Sequence, residues 1–83
     1  MTYAALSTPH SLAAVHEQGA VLELEDGSRW QVYAGFVPIS GMWASDEMIR
    51  VKTNRNPEYP YTLINVHRNE QLEAMCLAEG QAE

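Results

Sequence analysis

The feature of this chain that most constrains its fold is a two-residue alternation of apolar and polar side chains on both sides of a glycine turn. In "VLELE" leucines alternate with glutamates, and in "RWQV" Trp30 and Val32 alternate with polar residues. Successive side chains of a strand point to opposite faces, so each segment predicts a strand with one core-facing side. Asp26 and Gly27 between the segments suit the positive φ angles of a type I′ turn. The sequence therefore predicts a β-hairpin with Trp30 in the core.

The rest of the chain repeats this arrangement of short apolar segments and turns. "MIRVKT" places Ile49 and Val51 on one side, and "YTLINV" is rich in β-forming residues, whereas "SDE", "NRNPEYP" and "HRNEQ" are typical of turns and loops. The middle segment "GFVPISGMW" contains glycine and proline but is apolar enough to fold back over the core. Turn signals at intervals of roughly 8 to 12 residues predict an antiparallel meander. Such a sheet removes its exposed edge strands by closing into a barrel. We therefore expect an all-β fold, a small antiparallel barrel of five or six strands.

Two segments, residues 10–18 and 70–78, fit either a helix or a strand. In the first segment, Pro9 and Gly19 could frame a helix, but the small number of large apolar residues favours a strand. In the second, "NEQLEAMCLAEG" has apolar residues at helical spacing before Gly80, and it could equally return as the last strand. Both alternatives stay open for the second segment.

The length and composition indicate a single folded domain. A chain of 83 residues holds one domain at most, and its thin core would gain stability from oligomerisation. Its apolar content of 46% is too high for a disordered chain. The expected organisation is an N-terminal arm or helical turn, one barrel domain and a polar tail, at residues 1–10, 11–78 and 79–83.

The charge balance limits the kinds of partner that the chain can bind. A formal net charge of −6, from eleven acidic and five basic residues, disfavours nucleic acid as the main partner, because affinity for phosphates comes from neutralising many of them. Three of the five basic side chains nevertheless fall within "RVKTNR", at Arg50, Lys52 and Arg55. They predict a local positive patch, which is either a solvated strand face or a site for an anionic partner.

The single cysteine and the hydropathy pattern indicate a compartment. Cys76 alone cannot form an intramolecular disulfide and fits a reducing environment. No apolar run approaches the roughly 18 residues that a membrane span needs, and "MTYAALSTPHSLAAV" lacks the features of a secretory signal. We therefore expect a cytoplasmic location and no membrane partner.

Three sequence patterns resemble those of a group of small uncharacterised bacterial and phage-associated β-barrel proteins. The patterns are "LEDGSRW", the spacing Trp-x5-Ile-x-Val from Trp43 to Val51, and "YPYTLIN" at residues 59–65. The resemblance covers residues 20–78. It implies a barrel fold and carries no activity with it.

A more distant resemblance is to the Sm-like barrels, which form rings and bind RNA. "GAVLELEDGS" is similar to the first Sm segment and "VHRNEQLEAM" to the second. The Asp-x-x-x-Asn arrangement with which that family reads a base has no counterpart here, and Asn69 stands where the second segment prefers glycine. The resemblance implies an SH3-like or Sm-like barrel, with room for a short N-terminal helix, and assembly into a ring.

Residues that carry enzyme chemistry form no recognisable catalytic or metal-binding motif in this sequence. The sequence has no phosphate-binding glycine loop, no pair of Cys or His at ligand spacing and no nucleophile elbow. His10, His16 and His67 are scattered, and the adjacent Asp46 and Glu47 fit a turn better than a catalytic pair. We therefore expect a chain that is not an enzyme and has no metal site and no cofactor.

Aromatic side chains outside the hairpin are the candidates for a binding or interface surface. Trp43, Tyr59 and Tyr61 flank the irregular segment and the "NPEYPY" loop, where rings often lie half exposed. Such rings suit a seam between proteins, and they stack on bases when cations lie nearby. The predicted surface comprises Phe36, Trp43, Tyr59, Tyr61, Arg50, Lys52 and Arg55.

These observations favour a non-enzymatic module that acts through self-assembly, binding of a partner protein, or both. Strand edges would pair between subunits, and the apolar rings of "GFVPISGMW" would cover the join, so we expect a homo-oligomer. The alternative is binding of single-stranded RNA or another nucleic acid through Tyr59, Tyr61 and the basic residues of 50–55. That alternative requires an affinity that falls steeply with salt.

Overall fold

The computed structural model describes residues 9–78, which form a closed antiparallel barrel of six strands. The strands neighbour one another in the order β1-β2-β3-β6-β5-β4, and β4 returns to β1. The all-β barrel is confirmed. The expected N-terminal helical turn and polar tail fall mainly on residues 1–8 and 79–83, outside the described residues. The strands are β1 (His10–His16), β2 (Val21–Leu24), β3 (Arg29–Val32), β4 (Met48–Thr53), β5 (Tyr61–Asn65) and β6 (Glu70–Ala78).

Three short helical elements connect the strands. A 3₁₀ turn, Glu17–Gly19, joins β1 to β2. A second 3₁₀ turn, Ala34–Phe36, runs directly into the four-residue helix α1, Val37–Ser40, between β3 and β4. Pro38 lies at the start of α1, where its fixed φ angle suits the first turn of a helix. The "GFVPISGMW" segment therefore folds back over the barrel, as its composition predicts.

A bend in β1 closes the barrel. The first two residues of β1 lie opposite Ile49 and Met48 of β4, and the remainder pairs with β2. The β1–β2 register shifts between Leu12 and Ala14, which is the position of a β-bulge. Because a bulge bends a strand and increases its twist, β1 can pair with two neighbours that lie at an angle to each other.

The interior of the barrel is filled by the apolar side of each strand. Trp30 is fully buried, and its ring meets the ring of Tyr61 edge to face, with centroids 5.2 Å apart. Burying each large apolar side chain contributes roughly 1.5–3 kcal/mol, so this set supplies most of the stability. The prediction that Trp30 lies in the core is confirmed. The buried hydrophobic residues are Leu12, Leu22, Leu24, Trp30, Val32, Trp43, Ile49, Val51, Tyr61, Leu63, Leu72 and Ala74.

The turn between β2 and β3 is longer than the predicted type I′ turn. Gly27 has φ 88° and its N–H donates to the carbonyl of Leu24 at 2.9 Å, but Asp26 is not among the described non-glycine residues with positive φ. This geometry matches a three-residue loop that ends in a glycine bulge. The carboxylate of Asp26 instead accepts the N–H and the hydroxyl of Ser28, at 2.9 and 2.6 Å. These two bonds from Ser28 hold Asp26 in the longer loop, so the predicted type I′ turn is wrong.

Both segments with open alternatives form strands. The first, β1, is the strand that the sequence favours, and the second, β6, spans nine residues. Leu72 and Ala74 of β6 are buried while Gln71 is exposed. The period of β6 is therefore that of a strand, because β6 pairs with β5 through its first half and with β3 through its second.

Candidate binding site

A pocket of about 390 Å³ lies on the outer face of β2 and β3. Val21 and Gln31 form its floor, since they are cross-strand neighbours whose strands bury the alternate residues, such as Leu22. The 3₁₀ turn Glu17–Gly19 and helix α1 supply its walls. A volume of this size suits a small ligand or one side chain of a partner. The side chains that decide its chemistry are Glu17, Val21, Gln31, Val37 and Tyr59.

Two glycines bring the walls of the pocket together. A Cβ atom on Gly19 would lie 2.5 Å from the backbone nitrogen of Gly41, and one on Gly41 would lie 2.7 Å from the carbonyl oxygen of Gln18. The buried hydroxyl of Ser40 donates to the carbonyl of Gly19 at 2.6 Å. The 3₁₀ turn therefore packs against the end of α1 backbone to backbone, which no larger residue would allow.

The same turn holds Glu17 in an uncommon backbone conformation. Glu17 and Gln18 have φ angles of 52° and 62°, in the left-handed region, which costs roughly 1–2 kcal/mol for each non-glycine residue. The Glu17 carboxylate lines the pocket and makes no hydrogen bond or ion pair within residues 9–78. Because no lysine, arginine or histidine lines the pocket, its one formal charge is negative.

Three aromatic rings stand beside the pocket, and we call them the aromatic rim: Tyr33, Phe36 and Tyr59. The rings of Tyr33 and Tyr59 meet edge to face with centroids 5.1 Å apart, and the rings of Tyr33 and Phe36 are 5.9 Å apart. Tyr33 is 44% exposed, whereas Phe36 and Tyr59 are half-buried. Within the described residues neither tyrosine hydroxyl makes a hydrogen bond, so both can bond to a partner.

Hydrogen bonds hold the aromatic rim in place before any partner binds. The N–H of Tyr33 donates to the carbonyl of Glu73 at 2.9 Å, which ties the end of β3 to β6. In the loop of residues 54–60, Asn54 Nδ2 donates to the carbonyl of Tyr59 at 2.9 Å, and Asn56 Nδ2 donates to Glu73 Oε1 at 3.2 Å. Tyr33 and the loop are therefore both tied to β6 at Glu73, and Tyr59 is pre-positioned.

The structure divides the four predicted aromatic residues between surface and core. Phe36 and Tyr59 lie in the aromatic rim and are half-buried. Trp43 and Tyr61 are only 4% and 5% exposed, so their place in the predicted surface is corrected. Tyr61 has the inward parity of β5 and packs on Trp30, and the Trp43 indole N–H donates to Glu70 Oε1 at 2.8 Å.

The three predicted cations lie on β4 and in the loop after it. Arg50 and Lys52 are exposed on β4, and Arg55 is exposed in the loop that also carries Tyr59. Two strands separate β4 from β3 in either direction around the barrel and β1 separates β4 from β2, so Arg50 and Lys52 lie on a different face from the pocket floor. Within residues 9–78 none of the three has an ion pair. We call Arg50, Lys52 and Arg55 the cationic patch.

The carboxylate of Glu47, in the turn before β4, is held by hydrogen bonds from three neighbouring residues. Glu47 accepts hydrogen bonds from Arg68 Nε at 2.9 Å, from the N–H of Ala44 at 2.9 Å and from Asn65 Nδ2 at 2.8 Å. These bonds, above all the bond from Arg68, lower the pKa of Glu47 from its ordinary 4.5 to about 2. Asp46 has φ 73°, so the predicted turn is confirmed, and Glu47 anchors it.

The histidines lie apart from one another, and His10 lies near the carboxylates of both Glu25 and Asp26, at 2.7 and 3.7 Å. His10 Nδ1 is 2.7 Å from Glu25 Oε2, and His16 Nε2 is 3.0 Å from Glu23 Oε1. His67 is exposed in the β5–β6 turn. In the part of the chain that the structure describes, no group of three or more His, Cys, Asp or Glu side chains could hold a metal ion.

Four residues at or beside the pocket are absent from the predicted surface, namely Glu17, Gln31, Tyr33 and Val37. A signal for Tyr33 existed, because it follows the outward parity of Arg29 and Gln31 in β3, where a ring has no core to enter. No comparable signal existed for Glu17, since its position depends on a turn of left-handed residues.

Comparison of the chain with family models, curated proteins and solved structures found no match. The resemblances to small β-barrel proteins and to Sm-like barrels therefore stay predictions. From residue 9 to residue 78, the longest helix has four residues, and none could cross a membrane.

Proposed function

We propose that this chain is a non-enzymatic binding module whose partner is a protein, and that the partner docks on the pocket and the aromatic rim. The observation that carries the proposal is the Tyr33 ring, 44% exposed yet held against Tyr59 beside a pocket of about 390 Å³. Protein interfaces concentrate their binding energy in tyrosine, tryptophan and arginine side chains that fill or surround such pockets.

The composition of the pocket supports binding over catalysis. Covalent or acid–base catalysis needs a nucleophile and a base within hydrogen-bond reach of each other. Glu17 and Tyr59 are the titratable side chains among the lining residues, and no hydrogen bond joins them. The remaining lining is apolar apart from Gln31, which suits a site that recognises the shape and polarity of a partner.

A photo-crosslinking experiment tests the docking surface directly. A photoreactive phenylalanine analogue at position 33 is compared with the same analogue at position 77, because Leu77 of β6 is 45% exposed and lies outside the site. We expect irradiation in cells to join position 33 to one discrete protein, either a second copy or another chain, and to leave position 77 largely uncoupled. Equal coupling at both positions, or none at position 33, would contradict the proposal.

A second candidate function is single-stranded nucleic-acid binding, which is favoured by the cationic patch and its lack of ion pairs within residues 9–78. Arg55 shares its loop with Tyr59, so a cation and a ring lie on one segment, as in proteins that stack bases. Labelled oligonucleotides titrated at low salt test this function by fluorescence anisotropy. Each phosphate contact should lower the slope of log K against log salt by about 0.7 for a single strand. The absence of binding would leave the protein partner as the sole candidate.

We further propose that the chain works in the cytoplasm. Cys76 is the single cysteine, and its thiol is half-buried and lies 3.3 Å from the carbonyl oxygen of Ala78. A half-buried thiol in such contact behaves as a small packing residue and persists in a reducing compartment. Fluorescence imaging of the tagged full chain tests this location.

A further inference from the structure

We infer that the pocket accepts an arginine or lysine side chain, supplied by the cationic patch of a second copy of this chain, so that copies join head to tail. The inference rests on the proposed function and names its partner. It follows from three observations, namely the chemistry of the pocket, the three cations that have no ion pair within residues 9–78, and the opposite charges of the pocket and the cationic patch.

The pocket combines the groups that recognise a long cationic side chain. Val21 and Val37 provide apolar walls for a methylene stem, and the Tyr59 ring provides a face that attracts a cation. The Glu17 carboxylate, without a partner in the described chain, provides the opposite charge, and Gln31 adds an amide oxygen that accepts hydrogen bonds. An anion would meet the Glu17 charge with no cation to offset it.

The strained turn places the backbone of Glu17 beside the pocket. Consecutive left-handed residues at positions 17 and 18 persist only where the surrounding structure holds them. Here the contact between Gly19 and Gly41 and the Ser40 hydroxyl do so. The backbone of the turn is therefore pre-positioned, and a partner does not have to order it.

The cationic patch is the matching surface on the other copy. Of the five basic residues in the chain, Arg29 lies 3.8 Å from Glu23 and Arg68 lies 2.9 Å from Glu47, so both already have carboxylate neighbours. The other three form the cationic patch and have no ion pair within residues 9–78. Arg50 and Lys52 point outward from β4 with one residue between them, so either one can enter a pocket while the other stays at its edge.

The pocket and the cationic patch carry opposite charge. Glu17 at the pocket has no ion pair within residues 9–78, whereas Glu23, Glu25 and Asp26 have His10, His16 or Arg29 beside them. Oppositely charged sites on different faces of a barrel steer two copies into a head-to-tail encounter and disfavour a face-to-face one. A contact between two different surfaces leaves one of each unused, so assembly continues into a ring or a filament.

Variants that each disable one surface, mixed in pairs, test the inference. E17K blocks the pocket, and the double variant R50S/K52S removes the charge of Arg50 and Lys52 from the patch. We expect each variant alone to self-associate more than about tenfold more weakly than the parent chain, because each lacks one of the two surfaces. A mixture of the two contains one intact pocket and one intact patch, and we expect it to form a 1:1 dimer that grows no further. E58K is the control, since Glu58 is exposed and does not line the pocket.

Sedimentation velocity provides the measurement, with circular dichroism to show that each variant is folded. The parent chain is compared in about 10 mM and about 1 M salt, where the Debye length falls from roughly 30 to 3 Å. We expect an assembly larger than a dimer at low salt that dissociates at high salt. A monomeric parent chain at low salt, or a mixture that fails to dimerise, would overturn the inference.

A further variant separates the inference from the proposed function. If the parent chain associates and Y33S abolishes association while E17K does not, the aromatic rim binds a protein but the pocket does not take a cation. That result overturns the inference and leaves the proposed function standing. If neither E17K nor Y33S affects association and position 33 forms no crosslink, both proposals are wrong.

Discussion

Two aromatic residues near opposite ends of one strand show how this barrel separates stability from recognition. Trp30 lies in β3, is fully buried, and donates its indole N–H to Ser28 Oγ at 2.9 Å. Tyr33 directly follows β3, is 44% exposed, and its hydroxyl has no hydrogen bond within residues 9–78. They are three positions apart, so strand parity sends one ring into the core and the other to the surface.

The difference extends to the neighbours of each ring. Trp30 packs on Tyr61 inside the barrel, and Ser28 continues its hydrogen bonding to Asp26 at 2.6 Å. Tyr33 packs on Tyr59 and Phe36, which belong to connections between strands. A change at the first ring therefore acts on the fold, whereas a change at the second acts on what the fold can bind. Substitutions at buried and at exposed residues measure how far stability and binding are separate.

Truncation of the buried ring has the largest expected effect. Trp30→Ala removes the largest fully buried side chain and leaves a cavity, which should lower the free energy of unfolding by about 3–5 kcal/mol. For a small domain this is a large share of the total stability. Urea unfolding followed by far-ultraviolet circular dichroism measures it. A loss below about 1 kcal/mol would mean that the ring does not pack as described.

Adding a methyl group at the close backbone contact beneath the pocket has the next largest expected effect on stability. Gly19→Ala places a methyl group 2.5 Å from the nitrogen of Gly41 at a φ of 109°, so it should cost about 2–3 kcal/mol. Gly35→Ala is the matched control, because its methyl group would meet only the Tyr33 ring, at 3.0 Å. We expect Gly35→Ala to cost less than about 1 kcal/mol, since a half-exposed ring can move aside. Equal midpoints of urea unfolding for the two variants would show that the Gly19–Gly41 contact is not tight.

The contrast between regular and irregular regions explains what the sequence can predict. Leu22, Trp30 and Ile49 lie in strands whose alternation defines a core side, so the barrel and its filling follow from pattern alone. The prediction depends on neighbouring residues only. The same pattern places Arg50 and Lys52 on the outside of β4, where the structure has them.

The pocket could not be predicted because it depends on contacts between distant residues. Gly19 and Gly41 meet only once the chain has folded, and nothing near Gly19 in the sequence indicates this approach. Trp43 lies in an irregular segment without a period, so the sequence does not indicate that it packs in the core and donates to Glu70 of β6. The candidate site lies mainly in such irregular segments, which is why only Phe36 and Tyr59 of its aromatic residues were predicted.

Acid should weaken the barrel by protonating Glu47, whose ionised carboxylate holds the turn before β4. Its pKa is lowered from 4.5 to about 2, so the ionised form is the one that the fold favours. The stabilisation is fully present above pH 4.5 and is lost as the pH falls through 4.5 towards 2. We expect Glu47→Gln to be less stable than the parent chain at neutral pH, and the difference in urea midpoint to vanish near pH 2.

Glu58→Gln is the control for this acid effect, because Glu58 is exposed, does not line the pocket, and its carboxylate has no partner within the described residues. Its urea midpoint should follow that of the parent chain across the same pH range. If Glu47→Gln instead follows the parent chain at neutral pH, then Arg68, Asn65 and Ala44 do not hold the turn through the Glu47 charge.

The smallest effect on stability is expected at the exposed ring, where the effect on binding should be large. Tyr33→Ser removes a ring that is 44% exposed, so the free energy of unfolding should fall by less than about 1 kcal/mol. The same variant should weaken association by more than about tenfold, because a tyrosine anchor at an interface carries a large share of the binding energy. Urea unfolding and light scattering on the same sample measure the two quantities together.

Leu77→Ser is the matched control for Tyr33→Ser, since Leu77 is 45% exposed on β6 and outside the aromatic rim. It should change both quantities little. A Tyr33→Ser chain that unfolds as easily as Trp30→Ala would show that the aromatic rim is part of the core, because the ring would then hold the loop of residues 54–60 and the end of β3 in the fold. A chain with unchanged stability and unchanged association would show that the aromatic rim takes no part in self-association.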